Sequence, residues 1–267
     1  MEGWDAMMAA IFIGLGLMAA QMVLLWAWHL RLKNAAVVDV GWAAGLGLLA
    51  ALDAGLGAAP PHRRILLAAL AGSWAFRLAA HLWRDRVAGG TPEEGRYVYL
   101  RAHWGRNANL HFLWFFLAQG IGNVLLSVPF LLAAFNPAPE ISAFEIAAAV
   151  LWVLAIAGEA LADFQLRAFK ADPAHKGQVC RAGLWAYSRH PNYFCEWLIW
   201  CAFALLAFPA AYGWLGLLSP AIILFLLVKV TGIPPTEKQS LRSRGSAYAR
   251  YQNEVSAFFP WFPRSIS

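Results

Sequence analysis

The chain has 267 residues, of which 60% are hydrophobic and 14% aromatic, but only 13% are charged. A soluble domain carries roughly 25% charged residues, so an ordinary soluble protein is excluded and a polytopic helical membrane protein is expected. The formal charge of +6 is explained by membrane topology rather than by nucleic acid, since it is not clustered on a soluble face.

The first apolar run, "MEGWDAMMAAIFIGLGLMAAQMVLLWAWHL", lacks the basic start and small-residue exit of a cleaved signal peptide and is too long for one. It reads as the first of seven spans, near residues 6–30, 35–58, 63–83, 109–134, 141–168, 191–210 and 212–231. The breaks are physical: "RLKN", "PPHRR", "NPAPE" and "FPAAYG" contain residues that end helices or mark turns. The expected fold is therefore all-α, a single seven-helix membrane domain over residues 1–267, since each spanning segment must satisfy its own backbone and pack against its neighbours.

Basic residues set the sidedness. Eighteen of the 21 Lys and Arg fall in alternate connections and the tail, against Arg63 and Arg64 on the opposite side and Arg77 inside a span. The positive-inside rule then places the N-terminus outside and the C-terminal tail in the cytoplasm. The three cysteines and seven histidines show no metal-ligand or disulfide spacing, so no metal is expected.

An ionisable group inside a span costs roughly 2.5–3.5 kcal/mol on insertion scales and needs a reason. Asp39 lies in "AAVVDVGWAAG", and Arg77 and His81 lie four apart in "WAFRLAAHLWRDR"; the two basic residues either pair with Asp39 or snorkel to the interface. Glu159, Asp163 and Arg167 recur every fourth residue, with Lys170 three further on, and form one polar stripe. With Glu196 and Glu237 they fall in the cytoplasmic half of the expected topology. Tyr97 and Trp104 read as interfacial aromatics. The segment 167–193 is too long and polar for a tight turn, and long loops are often functional. It ends in "GLWAYSRHPNYFCEW", which places Tyr187, Ser188, Arg189, His190, Asn192, Tyr193 and Glu196 at the mouth of a membrane helix. Arg167, Lys170, Lys176, Arg181 and Arg189 form a cationic surface suited to phosphate. No GxGxxG or GxxxxGKS occurs, so a nucleotide would not be held in Rossmann or P-loop fashion.

"GLWAYSRHPNYFCEWLIWCAFAL", followed after two spans by "IPPTEKQSLRSRGSAYARYQNEVSAFFPWFP", resembles the C-terminal half of the steroid 5α-reductases, their bacterial homologues and the related sterol C=C reductases. The resemblance covers about residues 150–263. It implies NADPH bound from the cytosolic side of a seven-helix bundle in a bacterial-type inner membrane, with the cofactor half mainly in 150–263 and the substrate cavity mainly in 1–134. The cofactor contacts it implies are Glu159, Asp163, Arg167, Lys170, Arg181, Asn192, Glu196 and Tyr251, and Tyr187, Arg189, His190, Tyr193 and Glu237 join them from the surrounding polar segments. Three positions depart from the family pattern: Glu159 replaces the Asn usual in the eukaryotic enzymes, Cys195 replaces a Gly, and Thr236-Glu237-Lys238 replaces a His-Arg pair. The N-terminal half of those enzymes supplies a carboxyl to the substrate ketone, partnered by a Tyr; by position these are Asp39 and Trp74 here.

The implied reaction is NADPH-dependent reduction of a conjugated C=C bond in a membrane-soluble enone, typified by a 3-oxo-Δ4 steroid, with a protonated Asp39 donating to the developing enolate. Expected partners are that hydrophobic substrate and the lipid bilayer, with no nucleic acid and no obligate protein partner. R-H-P-x-Y-x-x-E also marks small membrane methyltransferases that use S-adenosylmethionine, which leaves a lipid or prenyl methyltransferase as the alternative. A sulfonium cofactor with one carboxylate has little use for five basic residues in one loop, whereas NADPH has a pyrophosphate and a 2′-phosphate.

Overall fold

The computed structural model describes residues 2–264, and its regular elements are all helical. In chain order these are α1 (Glu2–Leu32), α2 (Val37–Leu56), α3 (Pro61–Arg86), α4 (Gly95–Trp104), α5 (Ala108–Leu126), α6 (Val128–Ala134), α7 (Ala143–Ala171), α8 (Pro191–Ala207), α9 (Leu218–Phe225) and α10 (Ile233–Glu254). Among the described residues, six helical stretches are long and apolar enough to cross a bilayer: Gly3–Leu32, Val37–Leu56, Pro61–Gly90, Gly95–Ala134, Ala143–Ala171 and Gly213–Glu254. This is an integral membrane protein by composition and helix length. The segment expected as a span at 191–210 is α8, which has 17 residues. At 1.5 Å per residue it reaches about 26 Å, slightly less than a hydrocarbon core of about 30 Å.

Two helices lie where the sequence shows no apolar run. The basic connection after α3 contains α4, and the tail forms α10. Both are polar helices held by a few inward aromatics: Tyr97 in α4, and Tyr248 and Tyr251 in α10.

The chain divides into two compact units, Met1–Glu145 with Leu206–Gly216, and Ile146–Leu205 with Leu217–Ser267. In the first unit α2 is central and lies against α1, α3, α5 and α6. Its core at the Val37 end of α2 gathers Val37, Val38, Tyr97, Phe112 and Phe116. At the opposite end of α3, Arg63 is wholly buried and forms an ion pair with the equally buried Glu145. Its guanidinium also donates to the carbonyls of Asn136 (3.1 Å), Ala138 (2.5 Å) and Glu140 (2.7 Å). The Arg63 charge thus organises the whole α6–α7 connection.

In the second unit α7 and α8 approach closely at Gly158. A Cβ there would lie 2.8 Å from the Cys195 sulfur. The cysteine at a position where the resembled enzymes carry glycine is accommodated by a glycine on the facing helix. Gly158→Ala is expected to destabilise by about 1–3 kcal/mol through overpacking, and Cys195→Ala should recover most of that loss, as read by thermal unfolding in detergent.

Candidate functional site

α9 ends in a π-helical turn, Leu226–Val230, that leads into α10; such turns often mark functional positions in helices. α10 is itself broken at Gly245, whose φ of 53° and ψ of −127° fall outside helical geometry. A side chain there would meet no neighbour, so the requirement for glycine lies in the backbone conformation. The break lets both halves of α10 face one cleft. Thr236, Ser240 and Arg244 line it from the first half, and Tyr248 and Tyr251 from the second. The opposite walls are Leu166, Phe169 and Lys170 of α7, Val179, Cys180 and Trp185 of the connection, and Arg189, His190, Asn192 and Tyr193 at the start of α8. The cavity is about 180 Å³.

Of the residues expected to bind a cofactor, Lys170, Arg189, His190, Asn192, Tyr193 and Tyr251 line this cleft. Asp163 supports it from behind, accepting from the Asn192 amide at 3.2 Å. The Asn192 side-chain oxygen is buried with no hydrogen-bond partner. His190 stacks on Tyr193 at 5.2 Å between ring centroids, and the Tyr193 hydroxyl meets that of Thr236 at 3.2 Å. Arg244 and Lys170 form no ion pair among the described residues; Arg244 donates from Nε to the Gln178 carbonyl at 2.9 Å. The buried Cys180 thiol is pushed above its ordinary value by desolvation, which makes it an inert wall residue rather than a nucleophile.

Several expected contacts, Arg189 of the cleft among them, are engaged by the chain itself. Arg181 pairs with Glu254 and lies over the Tyr251 ring at 5.2 Å. Arg189 Nε donates to Glu237 at 2.6 Å, and its Nη1 donates to the carbonyls of Gln252 (2.8 Å) and Val255 (2.5 Å). Glu237 also meets His190 at 3.3 Å and accepts from Gln252 at 2.7 Å. Of the three arginines expected at a phosphate, Arg181 and Arg189 are therefore already neutralised by carboxylates. Tyr187 is exposed and lies edge-on to Phe262, and Arg167 is exposed on α7. Glu159 is buried in α7, and Glu196 accepts from the Trp200 indole at 3.0 Å.

Much of the polarity of "YSRHPNY" serves the chain's own tail. The Ser188 hydroxyl donates to the Phe258 carbonyl (2.9 Å), the Arg189 amide to Ser256 (2.8 Å), the Trp261 amide to Tyr187 (2.9 Å) and the Tyr251 hydroxyl to Trp185 (2.5 Å). Arg244 and Tyr248, which the sequence reading did not single out, join the cleft through the same helix.

The first unit holds a separate polar centre around Asp39. Its carboxylate accepts from Arg96 (2.7 and 2.8 Å), from the Tyr97 hydroxyl (2.6 Å) and from Arg86. Glu94 lies 3.0 Å from Arg86. Each of these bonds is donated to Asp39, so its oxygens accept here, in contrast to the donating role expected from the sequence. Its partners are Arg86 and Arg96, while His81 faces Asp85 at 3.4 Å. Tyr97, read from sequence as an interfacial aromatic, is fully buried and is the phenol that meets Asp39. Trp74, placed at that role by position, is fully buried edge-on to Trp42. Beside this centre Glu93 receives two bonds from Arg101 (2.8 and 3.1 Å) and one from the Ala35 amide (2.7 Å). Burial pushes its carboxyl up, but these bonds outweigh burial and leave it below the ordinary range. Its stabilising contribution is thus present at neutral pH and is lost as acid protonates it.

Searches among curated proteins and among solved structures each found no match to the chain. A family described as protein of unknown function, DUF1295, matches residues 25–255, which takes in both units and the cleft. The chain belongs to this DUF1295 family of membrane proteins.

Proposed function

We propose that this protein is an NADPH-dependent reductase of an activated C=C bond in a membrane-soluble enone, with 3-oxo-Δ4 steroids as the substrate class. The observation that carries the reading is the cleft of the second unit, where two cations outside ion pairs, Lys170 and Arg244, share one cavity with the buried unpartnered oxygen of Asn192. The cations suit phosphate groups, and an orphaned acceptor suits an amide or amine donor, because a buried oxygen left unpaired is costly. The residues therefore fit a phosphate-bearing nucleotide. NADPH supplies the hydride when bound; the chain binds and orients it. Lys170 and Arg244 hold phosphate, with Arg167 one turn before Lys170 on α7. Asn192, oriented by Asp163, accepts from the ligand. In the first unit, Asp39 positions the Tyr97 hydroxyl and the Arg86 and Arg96 guanidinium groups, each of which donates to it.

The reading includes seven spans, with α8 crossing the bilayer, the N-terminus outside and the cleft facing the cytoplasm. Reporter fusions after Arg106, Lys176 and the C-terminus should then read cytoplasmic, and one at Pro137 external. An external C-terminus would translocate 18 of the basic residues and defeats the topology.

A ligand that binds only the native state stabilises it by mass action, by about 2.7 kcal/mol at a hundred times its Kd. NADPH is expected to raise the melting temperature of the purified protein and NADH to raise it less. Asp163→Ala should weaken the NADPH response by releasing Asn192. Stabilisation by S-adenosylmethionine and by neither dinucleotide would overturn the reductase reading in favour of a lipid or prenyl methyltransferase.

A further inference from the structure

We infer that the C-terminal segment 256–264, "SAFFPWFPR", is an interfacial membrane anchor that inserts its aromatic side chains beside α8 at the lipid headgroup level. The inference rests on the proposed crossing of the bilayer by α8. Pro260 and Pro263 keep the segment out of a helix, and it lies between Ser256 and Trp261 against Tyr187, Ser188 and Arg189 through the backbone bonds described above. Its side chains then divide. Phe258 is buried, with its ring 5.7 Å from Phe194 and 5.9 Å from Trp197 of α8. Phe259 touches the same two rings at 5.9 and 5.8 Å, yet is 55% exposed, and Trp261 and Phe262 are 72% and 75% exposed.

The contact with Trp197 fixes the level. Trp197 lies six residues into α8, about 9 Å along its axis, so the segment runs beside the first two turns of a helix that enters the bilayer at Pro191. Aromatic rings at that level belong to the interface, where an apolar body and a polar edge are both satisfied. The exposed Arg264 follows them, as suits an anionic headgroup. Continuity with the aromatic face of α8 selects lipid as the occupant of this surface over a separate protein.

The test is depth measurement by nitroxide labelling in nanodiscs of phosphatidylcholine and phosphatidylglycerol. Labels go singly on Trp261→Cys and Phe262→Cys in a chain whose native cysteines are replaced by alanine. Because both side chains are largely exposed, these substitutions leave the interior intact. A label on native Cys201, ten residues into α8, reports the bilayer interior, and one on Lys176→Cys reports water. The 261 and 262 labels should be relaxed by oxygen and shielded from a water-soluble nickel chelate, at a depth between the two references. If they are as open to nickel as the 176 label while the 201 label is shielded, the anchor is refuted and the span stands. If the 201 label is itself open to nickel, the span falls and the anchor falls with it.

Discussion

Glu145→Ala should be among the most damaging single substitutions in the chain, with a loss of about 3–5 kcal/mol in the stability of the detergent-solubilised protein. Removing one partner of a buried ion pair leaves an uncompensated charge in a low-dielectric site, and Arg63 and Glu145 are both wholly buried. Replacing both residues by apolar ones of similar volume is often neutral for buried pairs. Here it should not be. The Arg63 guanidinium also satisfies the carbonyls of Asn136, Ala138 and Glu140, and an Arg63→Met/Glu145→Leu double variant would leave all three without that donor. The double variant is therefore expected to be no more stable than Glu145→Ala. Thermal unfolding of both variants decides this, and a double variant at wild-type stability would show that the connection needs no donor.

The second large effect is expected at Arg189. Its side chain is tied to Glu237 and to two tail carbonyls, one acceptor before the Gly245 break in α10 and two after it. Arg189→Ala removes the partner of a largely buried carboxylate, which costs about 3–5 kcal/mol, and frees the tail from the start of α8. Arg189→Lys retains the charge but not the planar fork that reaches acceptors in different directions, so it should recover only part of the loss. Limited proteolysis should cut beyond residue 250 sooner in Arg189→Ala than in wild type, with Arg189→Lys between them. A tail equally protected in all three would mean that the backbone bonds of Tyr187 and Ser188 suffice to hold it.

The helices of the membrane region were legible because a bilayer forces each span to be written locally, as a run of apolar residues long enough to cross and closed by Pro, Gly or charge. α4 and α10 carry no such run. They are held by Tyr97, Tyr248 and Tyr251, whose burial depends on partners distant in sequence, and they were invisible for that reason. The same distinction divides the candidate site. Lys170, His190, Asn192 and Tyr193, which line the cleft, were legible as a group because they cluster locally around helix ends. Arg181 and Arg189 looked like phosphate ligands because their carboxylates, Glu254 and Glu237, lie 73 and 48 residues further along the chain. Tyr97 lies 58 residues from Asp39. Motif spacing records neither pairing. A buried tyrosine within a basic connection is a weak sequence signal, though "RYVYLR" does set Tyr97 at helical spacing from Arg101.

The tail's attachment to the start of α8 also dictates an order of events during synthesis. The Trp185 carbonyl and the Ser188 hydroxyl wait for partners 66 and 70 residues downstream, which at about 5–20 residues per second arrive roughly 3–14 s later. Throughout that interval α8 is made, but the tail segment that closes over its start is not. A chain stalled or truncated near residue 250 lacks both partners, and would leave the segment before α8 unclosed.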